Sequence, residues 1–266
     1  MNWNWKTLSW FLTALAGFAG VVFLIACGGG GGGQSAGKIA PNPAPAITSL
    51  SPTYVPAGTS SQLVTINGTG FVASSSVTFN GLAHTTTIIS PQQLSMTLSQ
   101  SDLATPGNYQ LAVSNPPPGG GTSASTTFSV WSTYKDQGLG IQLDVPPQFV
   151  SFRSPDPSSN QVVFAQAPMQ SEQDIMLVVA ISSLPQGETL IKTIEDGGID
   201  ASSITSINLG GYTYLYCNAP GQGDGTWSYS GVLPGNKVVT LSTASSSFAS
   251  SPALQDIIAS LTLLTH

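Results

Sequence analysis

Between residues 46 and 130 the chain repeats one pattern: a short run that alternates apolar and polar residues, then a turn. The runs are Leu63–Ile66, Ser76–Phe79, Gln93–Leu98, Tyr109–Val113 and Thr126–Val130. Asn67-Gly68, Asn80-Gly81 and Pro106-Gly107-Asn108 supply turn chemistry between them. Successive side chains of a strand point to opposite faces, so each run puts one face in a core and the other in water. No stretch here has helical periodicity. About seven short strands over roughly 85 residues predict an antiparallel β-sandwich.

The order of local motifs carries a family resemblance. Ile47-Thr-Ser-Leu-Ser-Pro52, Pro56-Ala-Gly58, Val64-Thr-Ile-Asn-Gly-Thr-Gly-Phe71 and Val77-Thr-Phe-Asn-Gly81 are followed by Asp102-Leu-Ala-Thr-Pro-Gly-Asn-Tyr109 and Val113-Ser-Asn-Pro116. This series resembles IPT/TIG domains over its whole length. The resemblance implies an immunoglobulin-type sandwich used as a spacer or as a protein or glycan contact, and it transfers no catalytic residue. Gly68 and Gly70 are expected at positive φ around a bulge before Phe71, a core residue. Asp102 is the one Asp, Glu, Lys or Arg between 46 and 131, and a turn acceptor is its expected role. His84 is expected to be solitary and structural. The Pro/Gly run Asn115–Gly121 precedes a further strand, which places the domain boundary near Trp131, with 46–131 as the sandwich and 132–266 as a second domain.

The second domain has a different texture. Strands are expected at Gly140–Pro146, Gln161–Phe164, Ile175–Ile181, Ile204–Leu209, Tyr212–Cys217, Thr226–Leu233 and Lys237–Thr243, joined by Gly- and Asn-containing turns. Thr189–Asp196 reads as a short helix with Leu190, Ile191 and Ile194 along one side. Ser251-Pro252 gives an N-cap and a first-turn proline to a second helix, whose Leu254, Ile257, Ile258 and Leu261 make one apolar stripe. The fold class expected is therefore multidomain: an all-β immunoglobulin-like sandwich, then an α+β domain with an antiparallel sheet and two helices. The opening Gly140-Ile-Gln-Leu-Asp-Val-Pro-Pro147, the middle helix and the closing Ile257-Ile-Ala-Ser-Leu261 together resemble PsbP/Mog1-type domains, which implies a binding or assembly module.

Ahead of both domains, Leu8–Ala26 is free of charge, and Leu24-Ile-Ala-Cys27 is followed by six glycines. That length would also span a bilayer. However, a small residue before the cysteine, and a glycine run in place of a basic flank, fit a cleaved signal better. The stretch resembles the lipobox of bacterial lipoproteins. The resemblance implies a signal peptide at 1–26, cleavage between Ala26 and Cys27, and diacylglycerol plus an N-acyl chain such as palmitate on Cys27. Two or more acyl chains anchor stably where one does not. Residues 27–45 then read as lipidated cysteine and Gly/Pro-rich flexible tether, with an r.m.s. reach of roughly 20–24 Å. Gly28, rather than Asp, follows Cys27, which favours the outer membrane in a host that has two.

Charge and cysteine usage narrow the partners. Only 7% of residues are charged, and all twelve acids but only five of the six basic residues lie beyond Cys27, a net −7 there. With no basic patch, a nucleic-acid partner is not expected. Cys217 has no partner if Cys27 is acylated, and it reads as a buried inert thiol. No Gly-x-Ser-x-Gly or His-Glu-x-x-His occurs, and the second domain's one histidine is the last residue, His266. No catalytic set, metal site or other cofactor is expected. Neither Asp224 in the Gly-rich loop nor any pair of the second domain's carboxylates, such as Asp144 and Asp256, stands in a recognisable frame. Trp227 and Tyr229 alternate with serines, and Tyr212, Tyr214 and Tyr216 alternate likewise, so each set shares a sheet face. That face is either a platform for sugar stacking or a core. The expectation is a non-enzymatic envelope lipoprotein, tethered by lipid and facing the periplasm or cell surface, whose partner is an envelope protein or, alternatively, a glycan. The sequence assigns no oligomeric state.

Overall fold

The computed structural model describes residues 40–154, 159–168, 175–219 and 226–264. Cys27 and its flanks, Asp224 and His266 lie outside the described residues.

The sandwich forms as the alternation predicts. One sheet runs β1 (Ala46–Ser51), β3 (Ser61–Thr69), β7 (Gln93–Ser99) and β6 (Thr86–Ser90), all antiparallel. The facing sheet contains β5 (Leu82–His84), β4 (Ser76–Phe79), β8 (Gly107–Asn115) and β10 (Thr126–Asp136), with β9 (Gly121–Thr122) on β8 and β2 (Tyr54–Pro56) parallel to β10. Val64, Ile66, Leu94, Met96 and Leu98 meet Val77, Leu111, Val113, Phe128 and Val130 in one core. Burying each such side chain contributes about 1.5–3 kcal/mol.

Two glycines before Phe71 act differently from one another. Gly70 has φ +72°, as expected. Gly68 is not at positive φ, which corrects that expectation. Its requirement is space: a Cβ there would overlap the Ala46 carbonyl oxygen and the Phe71 ring, which is itself buried.

The expected free tether also ends earlier than Pro45. The Asn42 amide N–H donates to Pro118 O (2.7 Å), its side chain donates to Pro116 O (2.7 Å), and Gly120 N donates to Asn42 O (2.7 Å). Asn115, only 5% exposed, donates through Nδ2 to Pro43 O (2.8 Å) and Gly70 O (2.7 Å) and accepts from Ser75 Oγ (2.6 Å). A buried amide with both donor hydrogens and its acceptor engaged is a fastener, and it fixes residues 42–45 to the sandwich.

No linker separates the domains. β10 is eleven residues long; its first half pairs with β8, and its second half, Ser132–Asp136, pairs with β11 (Ile141–Val145). Val130 belongs to the first core and its neighbour Trp131 to the second, since adjacent strand residues point oppositely. Tyr54 stacks on Trp131 at 3.8 Å across this joint. β11, extended by β19 (Thr262–Leu263), therefore joins the sandwich's second sheet.

The remaining strands form a seven-stranded antiparallel sheet in the order β12 (Phe149–Arg153), β13 (Gln161–Gln166), β14 (Ile175–Ser183), β18 (Lys237–Thr243), β17 (Thr226–Leu233), β16 (Tyr212–Ala219) and β15 (Thr205–Leu209). One face packs with the β10–β11 pair and with two helices, α2 (Ser246–Ala249) and α3 (Pro252–Ser260). Ser251 caps α3 by accepting from Leu254 N (3.2 Å), and Leu254, Ile257, Ile258 and Leu261 are fully buried. The helix expected at Thr189–Asp196 forms as α1 (Leu190–Asp196) with Thr189 as its cap. None of its residues is buried, however, and Ile191 is 46% exposed. The second packing helix is α2 instead.

Candidate functional site

The register of β16 on β17 pairs Tyr216 with Tyr229, Tyr214 with Gly231 and Asn218 with Trp227. Tyr212, Tyr214, Tyr216, Trp227 and Tyr229 therefore share one face. That face is the inner one. Tyr214 is fully buried, with its ring where a side chain on Gly231 would lie, and its hydroxyl has no partner among the described residues. Burial, and then the neighbouring Tyr212, push its pKa up to about 12. Tyr229 is 5% exposed and donates its hydroxyl hydrogen to Ala249 O (3.0 Å). Tyr214 and Tyr229 are thus core residues, Tyr229 reaching α2 through its hydroxyl, and cannot offer open rings to a sugar. Tyr212, Tyr216 and Trp227 stay partly exposed.

What remains of the expected platform is a cleft of about 350 Å³ beside α2 and α3. Tyr216 and Tyr229, with ring centroids 4.7 Å apart, form one side; Thr205, Ile207, Ser250 and Gln255 contribute to the rest. Cys217 is buried, and burial pushes its thiol pKa up, which disfavours the nucleophilic thiolate.

His84 and Asp102 are not solitary. His84 Nε2 lies 3.8 Å from Asp102 Oδ1, in a cavity of about 580 Å³ that Leu63, Thr87, Ser95 and Ser99 also line. Asp102 is the turn acceptor expected, taking hydrogen bonds from Ser99 N (2.8 Å) and Ser99 Oγ (2.6 Å). Burial would raise its pKa, but those bonds and the nearby His84 hold it below the usual carboxylate range. Because the Ser99 hydroxyl is bonded to the carboxylate, the arrangement is a braced turn and has no serine–histidine pair.

The carboxylate that sequence reasoning missed is Asp136, 7% exposed at the end of β10. It accepts from Tyr134 Oη (2.8 Å), from Leu139 N (2.9 Å) and from Arg153, its ion-pair partner. Burial would raise its pKa; the bonds from Leu139, Tyr134 and Arg153 and the Arg153 charge lower it overall. Tyr134 is pushed up to about 12 by burial and by Asp136. The local signal was present: an Asp three residues before an amide in a tight Gly-containing turn. Its partner Arg153, on β12, was visible only in the fold. Elsewhere Asp144 accepts from Thr133 Oγ1 (2.7 Å), Asp196 pairs with Lys192 (2.6 Å) and Asp200 caps the turn at Ser202 (2.8 Å). Among the described residues, no group of three His, Cys, Asp or Glu is placed to hold a metal ion.

Comparison with known families bears on the first domain: residues 45–130 match the IPT/TIG domain. The remainder is the α+β domain described above. Curated proteins give no significant match. Among solved structures, the chain is similar to cyanobacterial PsbP from Synechocystis sp. PCC 6803, at 18% identity over 50% of this chain and 92% of that one, with a TM-score of 0.34. It is also similar to a protein from Bacteroides thetaiotaomicron VPI-5482, at 12% identity over 50% of this chain and 48% of that one, TM-score 0.36. A putative phosphatase from the same organism is 12% identical over 70% of this chain and 45% of its own length, TM-score 0.25. The chain thus spans about half of each Bacteroides protein.

Proposed function

We propose that this chain is a lipid-anchored envelope protein that works by contact, without catalysis, with its IPT/TIG domain holding the α+β domain away from the membrane. The observation that supports this reading is the direction of the chain through the sandwich. It arrives at Asn42, strapped beside Asn115 at one end of β8, and leaves through Trp131 beyond Gly107 at the other. Those ends are the two termini of a nine-residue strand, about 27 Å apart at strand rise. A domain crossed from end to end adds height to a tether. Among the described residues of the α+β domain it carries, Asp136, Asp144, Asp196 and Asp200 are engaged in a cap, turns and ion pairs, which suits a binding module better than an acid–base site. The glycan alternative loses Tyr214 and Tyr229 to the core and keeps Tyr212, Tyr216 and Trp227 only partly exposed, so an envelope protein partner is the favoured reading.

The test is metabolic labelling with an alkyne palmitate analogue, combined with in-cell cross-linking, for the native chain and Cys27→Ala. The proposal expects label on the native chain alone, with cross-links from 134–266 to one recurring envelope protein that vanish in the variant. Equal labelling of both chains would remove the lipid anchor. Cross-links that never involve 134–266 would remove the protein-contact role.

A further inference from the structure

Where the two domains meet, a cleft of about 440 Å³ is lined from both sides: Asn108, Ser129 and Trp131 from β8 and β10, and Pro146, Gln148 and Gln166 from the α+β domain. We propose that this junction cleft is a binding site for a neutral saccharide. The proposal rests on the reading of the chain as a binding module and moves the glycan contact from the Tyr/Trp face to the joint.

The lining chemistry selects the ligand class. None of the lining residues carries a charge, Ala253 of α3 included, so neither an anion nor a cation finds a counter-charge there. Three side-chain amides and a hydroxyl offer donors and acceptors together, which is what a sugar's hydroxyl groups require. The Ser129 hydroxyl donates to Asn108 Oδ1 (2.7 Å), which fixes that amide and leaves its NH₂ without a partner among the described residues. The amide groups of Gln148 and Gln166 are likewise unpaired among the described residues, and both residues are exposed. A purely apolar ligand would cover these amides without replacing their water, at a cost.

The site is also built rather than incidental. Trp131, 5% exposed, is held by the Tyr54 ring stacked on it and by its pairing with Pro56 of β2. Gln148 and Gln166 spring from adjacent rungs: Ala167 N donates to Gln148 O (2.9 Å), and Phe149 pairs with Gln166. Binding sites favour such joints between domains, where rigid elements converge on a concavity. Its size suits one to two sugar rings at the end or bend of a longer chain.

The experiment is calorimetric titration of the full chain, held in a polyoxyethylene detergent that has no sugar headgroup. The probes are malto-, cello-, xylo- and laminari-oligosaccharides. At least one is expected to bind with a Kd of about 1 mM or tighter. The double variant Gln148→Leu/Gln166→Leu should bind it at least about tenfold more weakly while keeping the parent's melting temperature. No binding by any probe overturns the site, as does binding that the double variant leaves unchanged. Loss of binding in Tyr216→Leu, with the Gln variants unaffected, also overturns it and returns the sugar to the Tyr216–Tyr229 cleft. None of these outcomes bears on acylation at Cys27, which labelling and cross-linking decide separately.

Discussion

Asn115 and Asp136 solve the same problem with different chemistry. Each is a buried polar side chain, 5% and 7% exposed, that ties together three partners, all distant in the chain for Asn115 and two of them close neighbours for Asp136. Asn115 does so without charge, binding Pro43, Gly70 and Ser75 at the end of the sandwich where residues 42–45 are strapped. Asp136 does so as an ion, binding Tyr134, Leu139 and Arg153 just past the domain joint. The neutral knot is indifferent to pH. The charged one gives the joint a stability that depends on its carboxylate staying ionised.

The largest effect should come from breaking the charged knot. Asp136→Ala leaves the Arg153 guanidinium and two donors without their acceptor, and should cost about 3 kcal/mol in urea unfolding. An unchanged midpoint would mean that Arg153, itself 44% exposed, is satisfied by water. Asn115→Ala strands two carbonyls and one hydroxyl and should cost about 2 kcal/mol. Its distinguishing sign is faster proteolysis at residues 40–45; cleavage at the parent's rate would show that Asn42 alone holds the strap.

Acid separates the two knots more gently. The folded pKa of Asp136 is depressed, so its contribution is present above the unfolded value of about 3.9 and is lost as pH falls through the folded one. Unfolding midpoints of the parent should therefore drop below about pH 4 more steeply than those of Asp136→Asn. Parallel curves would assign the acid sensitivity to other carboxylates. Smallest of all is Lys192→Ala on α1. The Lys192–Asp196 pair lies with both side chains more than half exposed, so the melting temperature should not move.

The five strand runs named for the sandwich all form, because period-two alternation and Asn-Gly turns are local signals, while β1, β2, β5, β6 and β9 were not singled out as strands. Ser76–Phe79 and Lys237–Thr243 form over the expected residues, and Ser251-Pro252 opens α3 as its capping chemistry requires. The failures share one cause. Whether an apolar stripe is covered depends on what packs over it, so α1 was expected to bury Ile191 and the Tyr/Trp face could be read either way. β12, Phe149–Arg153, follows a Pro-Pro pair that signalled only an end to β11. The partnership of His84 with Asp102, and of Asp136 with Arg153, spans eighteen and seventeen residues. Such pairs come together where one sheet packs against another and have no sequence spacing of their own. Asn115 looked like the first residue of a Pro/Gly loop, and its role appears only when Pro43 arrives beside it.

The unbroken course of β10 has a mechanical meaning. A pull between Asn42 and Asp136 draws the ends of the sandwich apart along its strands. β10 is gripped lengthwise by β8 on one side and by parallel β2 on the other, with rungs at Tyr54, Val55 and Pro56. Force in that direction must shear a row of hydrogen bonds together and cannot peel them one at a time.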